Sequence, residues 1–182
     1  NQASKYAPAN RLTGVSEYYF SKKLKEVAQM NAEGKNVISL GIGSPDMPPS
    51  EQTVSTLCQE AQNADGHGYQ PSVGIPELRK AFAGWYKQWY NVELNPNTEI
   101  QPLIGSKEGI LHVTLAFVNP GEQVLVPNPG YPTYTSLSNI LGAEVVTYNL
   151  KEENGWMPDF EELEAMDLTR VKLMWTNYPN MP

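Results

Sequence analysis

Cysteine is nearly absent from this 182-residue chain, where Cys58 stands alone. A single cysteine closes no internal disulfide, so the reading is a reducing, cytoplasmic compartment with Cys58 as a buried or half-buried spectator. Positive charge is also short: 13 Lys and Arg face 20 Asp and Glu, for a net charge of −7. That balance argues against a nucleic-acid-binding protein, which must neutralise many phosphates with Lys and Arg. It leaves open one small phosphate held by backbone N–H groups. The two histidines, His67 and His112, lack ligand spacing with each other or with Cys58, so no metal site is expected. No stretch approaches the ~20 uninterrupted apolar residues that a membrane-spanning helix requires. Residues 1–10 hold no charged stretch followed by an apolar run, which argues against a signal peptide.

What is present suits a folded domain. Hydrophobic residues make up 40% of the chain, and its length fits one domain or one domain plus an arm. Residues 11–20 read as an arm bearing Tyr18, Tyr19 and Phe20. Helical spacing of Phe20, Leu24, Val27 and Ala28 predicts a helix over 17–33, stopped by Gly34. Further helices are expected over 51–64, from Pro76 along the stripe Leu78, Ala81, Phe82, Trp85 and Trp89, and over 107–117, 135–141 and 159–166. Strands are expected over 37–40, 100–104, 124–126, 145–148 and 171–175. Strand and helix alternate from about residue 99 onward. That order predicts an α/β fold with a mostly parallel sheet flanked by helices.

In such a sheet, ligands bind beyond the carboxyl ends of the strands. Two loops there carry unusual residues. Gly105-Ser106-Lys107-Glu108-Gly109 turns from strand to helix. Its small residues let backbone N–H groups approach an anion, and the helix start adds a positive dipole end. An ordinary tight turn is the alternative, and P-loop spacing is absent. Pro127-Asn128-Pro129-Gly130-Tyr131-Pro132-Thr133-Tyr134 is stiffened by prolines. It could hold Tyr131 flat against an aromatic ligand, or be a structural turn with surface-packed tyrosines. Gly41 and Gly43 lack the third glycine of a dinucleotide fingerprint. The chain stops on turn chemistry just after a strand-like run, which reads as a chain cut short.

Six segments in one order are more specific than any of them alone. They are Leu40-Gly41-Ile42-Gly43-Ser44-Pro45-Asp46, the run from Tyr69 to Arg79 with Gly74-Ile75-Pro76-Glu77-Leu78, then Gly105-Ser106-Lys107-Glu108-Gly109, Asn119-Pro120-Gly121-Glu122, Pro129-Gly130-Tyr131-Pro132-Thr133-Tyr134, and Asn177-Tyr178-Pro179-Asn180-Met181-Pro182. Together they resemble the class I/II aminotransferases of pyridoxal-phosphate (PLP) fold type I, over nearly the whole chain. The resemblance implies an N-terminal arm with part of a small domain over 1–50, and the first part of the large PLP-binding domain over 51–182.

It also implies roles. Gly105, Ser106 and Lys107 match the cradle of the cofactor phosphate, and Tyr131 the residue that stacks on the pyridine ring. Tyr69 matches a tyrosine that reaches the neighbouring subunit's cofactor phosphate, which implies a homodimer with shared sites. Gly43 matches a glycine beside the substrate carboxylate, and Tyr18 an arm tyrosine that covers the site. Many relatives read Pro-Asn-Asn-Pro-Thr-Gly at the last segment, where the second asparagine touches the cofactor. Aligned on the proline, that position is Met181, and a thioether cannot donate those hydrogen bonds. Either Asn180 serves instead or another group does. Lys107 is not the family's Schiff-base lysine, which the resemblance places later than this chain reaches, so no catalytic residue is assigned here.

The implied activity moves an amino group between an amino acid and a 2-oxo acid. A C–S β-lyase or a decarboxylase of the same fold would use the same cradle and stacking residue. A PLP-sensing regulator, which carries a DNA-binding domain ahead of this region, is a further alternative; the negative charge and an arm beginning near residue 10 count against it.

Overall fold

The computed structural model describes residues 7–13, 15, 19–41, 43 and 45–181. They divide into two compact units, one of Asn1–Ser16 with Leu103–Pro182 and one of Glu17–Pro102. The second unit is helical: α1 (Tyr19–Ala32), α2 (Glu51–Ala61) and α3 (Pro76–Tyr90), with a 3-10 turn at Ala64–His67. Three of their boundaries have a local cause. Ser50 caps α2 by accepting from the Thr53 N–H at 3.2 Å. Pro76 occupies the first turn of α3, and Asn91 ends it in a left-handed conformation at φ 54°.

The first unit carries the sheet. α4 (Ser106–Phe117) leads into β1 (Gln123–Asn128), α5 (Pro132–Ile140), β2 (Glu144–Asn149), α6 (Phe160–Glu164) and β3 (Val171–Met174). The three strands are parallel in the order β2-β1-β3. From β1 the chain moves one way to β2, then back across β1 to β3. Crossovers of one hand running in opposite directions put their helices on opposite faces. The packing agrees. Val124 and Val126 of the central strand meet Ile110 of α4 and Tyr134 of α5. Leu125 points the other way, to Tyr148 and to Leu163 of α6. β1 is therefore buried on both faces, as its unbroken apolar run requires. Its register with β3 slips by one residue, from Gln123 opposite Val171 to Val124 opposite Leu173. Val171 and Leu173 consequently serve opposite cores.

Four expectations need correction. Residues 37–40 and 100–104 form no strand. A strand needs a neighbour to bond, and none of the described residues pairs with either segment, leaving Leu40 and Ile104 more than nine-tenths exposed. Cys58 is exposed on α2, not buried. β3 also ends one residue early, at Met174. Among the described residues no helix is long and apolar enough to cross a membrane.

Candidate functional site

At the carboxyl ends of β1 and β3 lies a cavity of about 650 Å³, lined by residues from α4, α5 and both post-strand loops. This is the position the sheet topology favours for a ligand, and the volume is in the range of small-molecule sites. Ser106 stands at its edge, at the start of α4. The preceding Gly105 has φ 89° and ψ 157°, a conformation that only glycine adopts readily. A Cβ there would meet nothing within 4 Å, so the backbone is open to close approach. The Ile104 N–H donates to the Glu108 carboxylate at 2.6 Å, which fixes the turn.

The opposite wall is aromatic. Tyr131 stands immediately before α5, in the N-cap position, and packs edge-on to Tyr134, with ring centres 5.7 Å apart. Tyr134 stacks nearly parallel on Trp175 at 5.0 Å. Its hydroxyl donates to Asn177 Oδ1 at 3.3 Å, and Asn177 Nδ2 donates to the Pro179 carbonyl at 2.9 Å. The Asn177 amide is thus held at both ends. Burial, with the neighbouring Tyr131 second, raises the Tyr134 phenol above its ordinary value, so it stays a donor. Trp175 Nε1 is buried with no acceptor among the described residues. Small, open backbone at a helix start, a ring of aromatics and an indole N–H without an acceptor suit a flat heteroaromatic ligand with an anionic arm.

The cavity brings together two of the residues picked from the sequence, Ser106 and Tyr131. Gly105 and Lys107 flank Ser106 in the chain and are exposed. Met181 lines the cavity, whereas Asn180 lines a separate one of about 340 Å³ with Pro129, Leu150 and Trp156. Asn180 Nδ2 donates to the Trp156 carbonyl at 3.4 Å. The amide on the cavity wall is therefore Asn177. Sequence reasoning missed it as a site residue, together with Tyr134 and Trp175. The signal was its place, directly beyond an apolar strand. Gly43 and Tyr69 belong to the other unit, where both are exposed. Tyr18 lies outside the described residues.

Known proteins resemble the chain across most of its length. The family described as aminotransferase class I and II matches residues 35–182. An LL-diaminopimelate aminotransferase of Dehalococcoides mccartyi is 42% identical over 96% of this chain and 45% of its own. An apo-BacF structure from Bacillus subtillis superposes with a TM-score of 0.90 at 39% identity, over 98% of this chain and 45% of its own. An alanine aminotransferase from Pyrococcus furiosus does so with a TM-score of 0.87 at 30% identity, over 97% of this chain and 45% of its own. The chain spans less than half the length of these relatives.

Proposed function

The chain belongs to the class I and II aminotransferase family, and on that premise we propose that the protein is a pyridoxal-phosphate-dependent aminotransferase, moving an amino group between an amino acid and a 2-oxo acid. The observation that carries the proposal is the cavity at the carboxyl end of the sheet, with a helix start at one edge and Tyr131 at the other. When bound, the cofactor supplies an electron sink for loss of the α-proton. The residues here dock and orient it. Backbone N–H groups at Gly105, Ser106 and Lys107 would hold its phosphate, and the Tyr131 ring would stack on its pyridine ring. The Asn177 amide, pinned by Tyr134, offers a fixed polar group on the same wall. Met181 makes that part of the wall apolar.

The same reading makes Tyr69 the contribution of one subunit to its partner's phosphate site, in a cytoplasmic homodimer. It assigns Gly43 and Tyr18 to the substrate side, and residues 51–182 to the large domain. The names of the 42%-identical relatives put LL-diaminopimelate first among amino donors to assay. The test uses the full-length protein. Pyridoxal phosphate should give a visible absorption band that shifts on adding amino acids, and labelled amino groups should pass to a 2-oxo acid. No band at any pH would sink the proposal. Release of pyruvate and sulfide, or of carbon dioxide, in place of amino transfer would make it a lyase or a decarboxylase.

A further inference from the structure

Pro127 sits in the central strand, where every residue is expected to serve a neighbour through its backbone. Odd-numbered residues of β1 face β3. The Gln123 N–H donates to the Arg170 carbonyl at 2.8 Å, and the Leu125 carbonyl accepts from the Trp175 N–H at 2.9 Å. Even-numbered positions face β2: the Glu122 carbonyl accepts from the Glu144 N–H at 2.9 Å and the Asn128 carbonyl from the Leu150 N–H at 2.8 Å. In a parallel ladder the next bond would run from the N–H of residue 127 to the Trp175 carbonyl. Proline has no N–H. The ladder breaks there, and β3 ends at Met174.

The Trp175 carbonyl is nevertheless satisfied. The Tyr148 hydroxyl donates to it at 2.6 Å. Tyr148 lies in β2, in register with Pro127, and is only 2% exposed. Its phenol therefore passes beneath the central strand to reach the strand beyond. Burial, ahead of the nearby Tyr178 and Tyr134, pushes its pKa up to about 12, so the O–H stays a donor throughout the neutral range.

We propose that Tyr148 is a positioning residue for the cavity: its hydroxyl replaces the amide that Pro127 lacks, and so fixes where β3 delivers Trp175 and Asn177 to the cavity wall. The proposal rests on the cofactor-docking reading above for its functional consequence. Its structural content is independent of that reading.

The experiment is a cycle on the full-length protein with Tyr148→Phe, Pro127→Ala and the double variant. The first removes the hydroxyl, and the second restores an amide N–H opposite the Trp175 carbonyl. Two quantities are read: the dissociation constant for pyridoxal phosphate, and amide hydrogen exchange in peptides covering residues 171–181. One lost hydrogen bond to a part-buried carbonyl should weaken cofactor binding about fivefold and speed exchange in that segment. Pro127→Ala alone should stay within about twofold of wild type, and the double variant should regain most of what Tyr148→Phe lost. Loss without rescue would mean that Tyr148 acts only as packing, and overturns the proposal. So would a Tyr148→Phe protein with unchanged exchange. If wild type binds no pyridoxal phosphate, the cofactor reading fails, and the exchange data alone decide whether Tyr148 holds this segment.

Discussion

Two glycines each precede a residue that lines the cavity, Gly105 before Ser106 and Gly130 before Tyr131, and their substitutions should fail differently. A Cβ at Gly130 would fall on the Pro127 carbonyl oxygen, a backbone atom that cannot swing aside. Gly130→Ala must push the loop that carries Tyr131, at a cost of about 1–3 kcal/mol in urea unfolding and with weaker cofactor binding. Gly105 has free space around the missing Cβ but an unfavourable conformation for any other residue, with φ 89°. Gly105→Ala should cost a similar ~1–3 kcal/mol through backbone strain alone. It should also turn the first N–H groups of α4 away from the phosphate, raising the dissociation constant for inorganic phosphate as well as for the cofactor. Tyr131→Phe should bind pyridoxal phosphate nearly as wild type does, because the ring supplies the contact. Tyr131→Ala should bind roughly two- to tenfold more weakly in a fluorescence titration.

At the scale of elements, α4 and α5 each bury one small polar residue completely, Thr114 and Ser138. Each closes its hydroxyl on its own helix, Thr114 on the Ile110 carbonyl at 2.7 Å and Ser138 on the Tyr134 carbonyl at 2.8 Å. Neither therefore needs a partner on another element. Ser138→Ala should shift stability by less than ~1 kcal/mol, whereas Ser138→Leu overfills its buried position and should cost about 1–3 kcal/mol in the same unfolding assay. The Tyr148 bridge from β2 to β3 adds a pH dependence. Its phenol titrates near 10 when unfolded and at about 12 when folded. As pH rises through this window the unfolded chain releases that proton first, so it binds fewer protons and folding stability falls. The contribution is intact below pH 10 and gone once pH passes about 12. Urea midpoints at pH 9 and pH 11 should therefore fall further for wild type than for Tyr148→Phe.

At the scale of the whole molecule, the chain covers 45% of its 42%-identical relative, and its helical unit keeps a broad apolar face exposed. On α3, Leu78, Phe82, Trp85 and Trp89 stand between two-fifths and two-thirds exposed. The predicted chemistry is correspondingly divided. Residues 1–182 would dock the cofactor, and the proton-transferring lysine would come from elsewhere in the full-length protein. Borohydride reduction of the loaded protein, followed by peptide mapping, should place the label on no lysine of residues 1–182. A stoichiometric label on Lys107 would overturn its assignment to the phosphate cradle.

The sequence by itself was enough for the α/β class, because helix and strand periods alternate from about residue 99 onward and the caps are local: Pro76 and Ser50 act on their own neighbours. It also made the two site loops legible, since a glycine that opens a helix and a proline-stiffened turn carry their geometry in a few residues. Tertiary structure decided what depends on register and partners. Residues 37–40 and 100–104 have strand-like composition, yet no neighbour among the described residues completes a ladder with them. That Met181 faces the cavity, while Asn180 turns to Trp156, depends on a loop anchored 24 residues earlier in sequence. The bond from Tyr148 to Trp175 exists only because the folded sheet sets both beside Pro127. No local pattern encodes a missing amide on one strand being replaced by a hydroxyl from another.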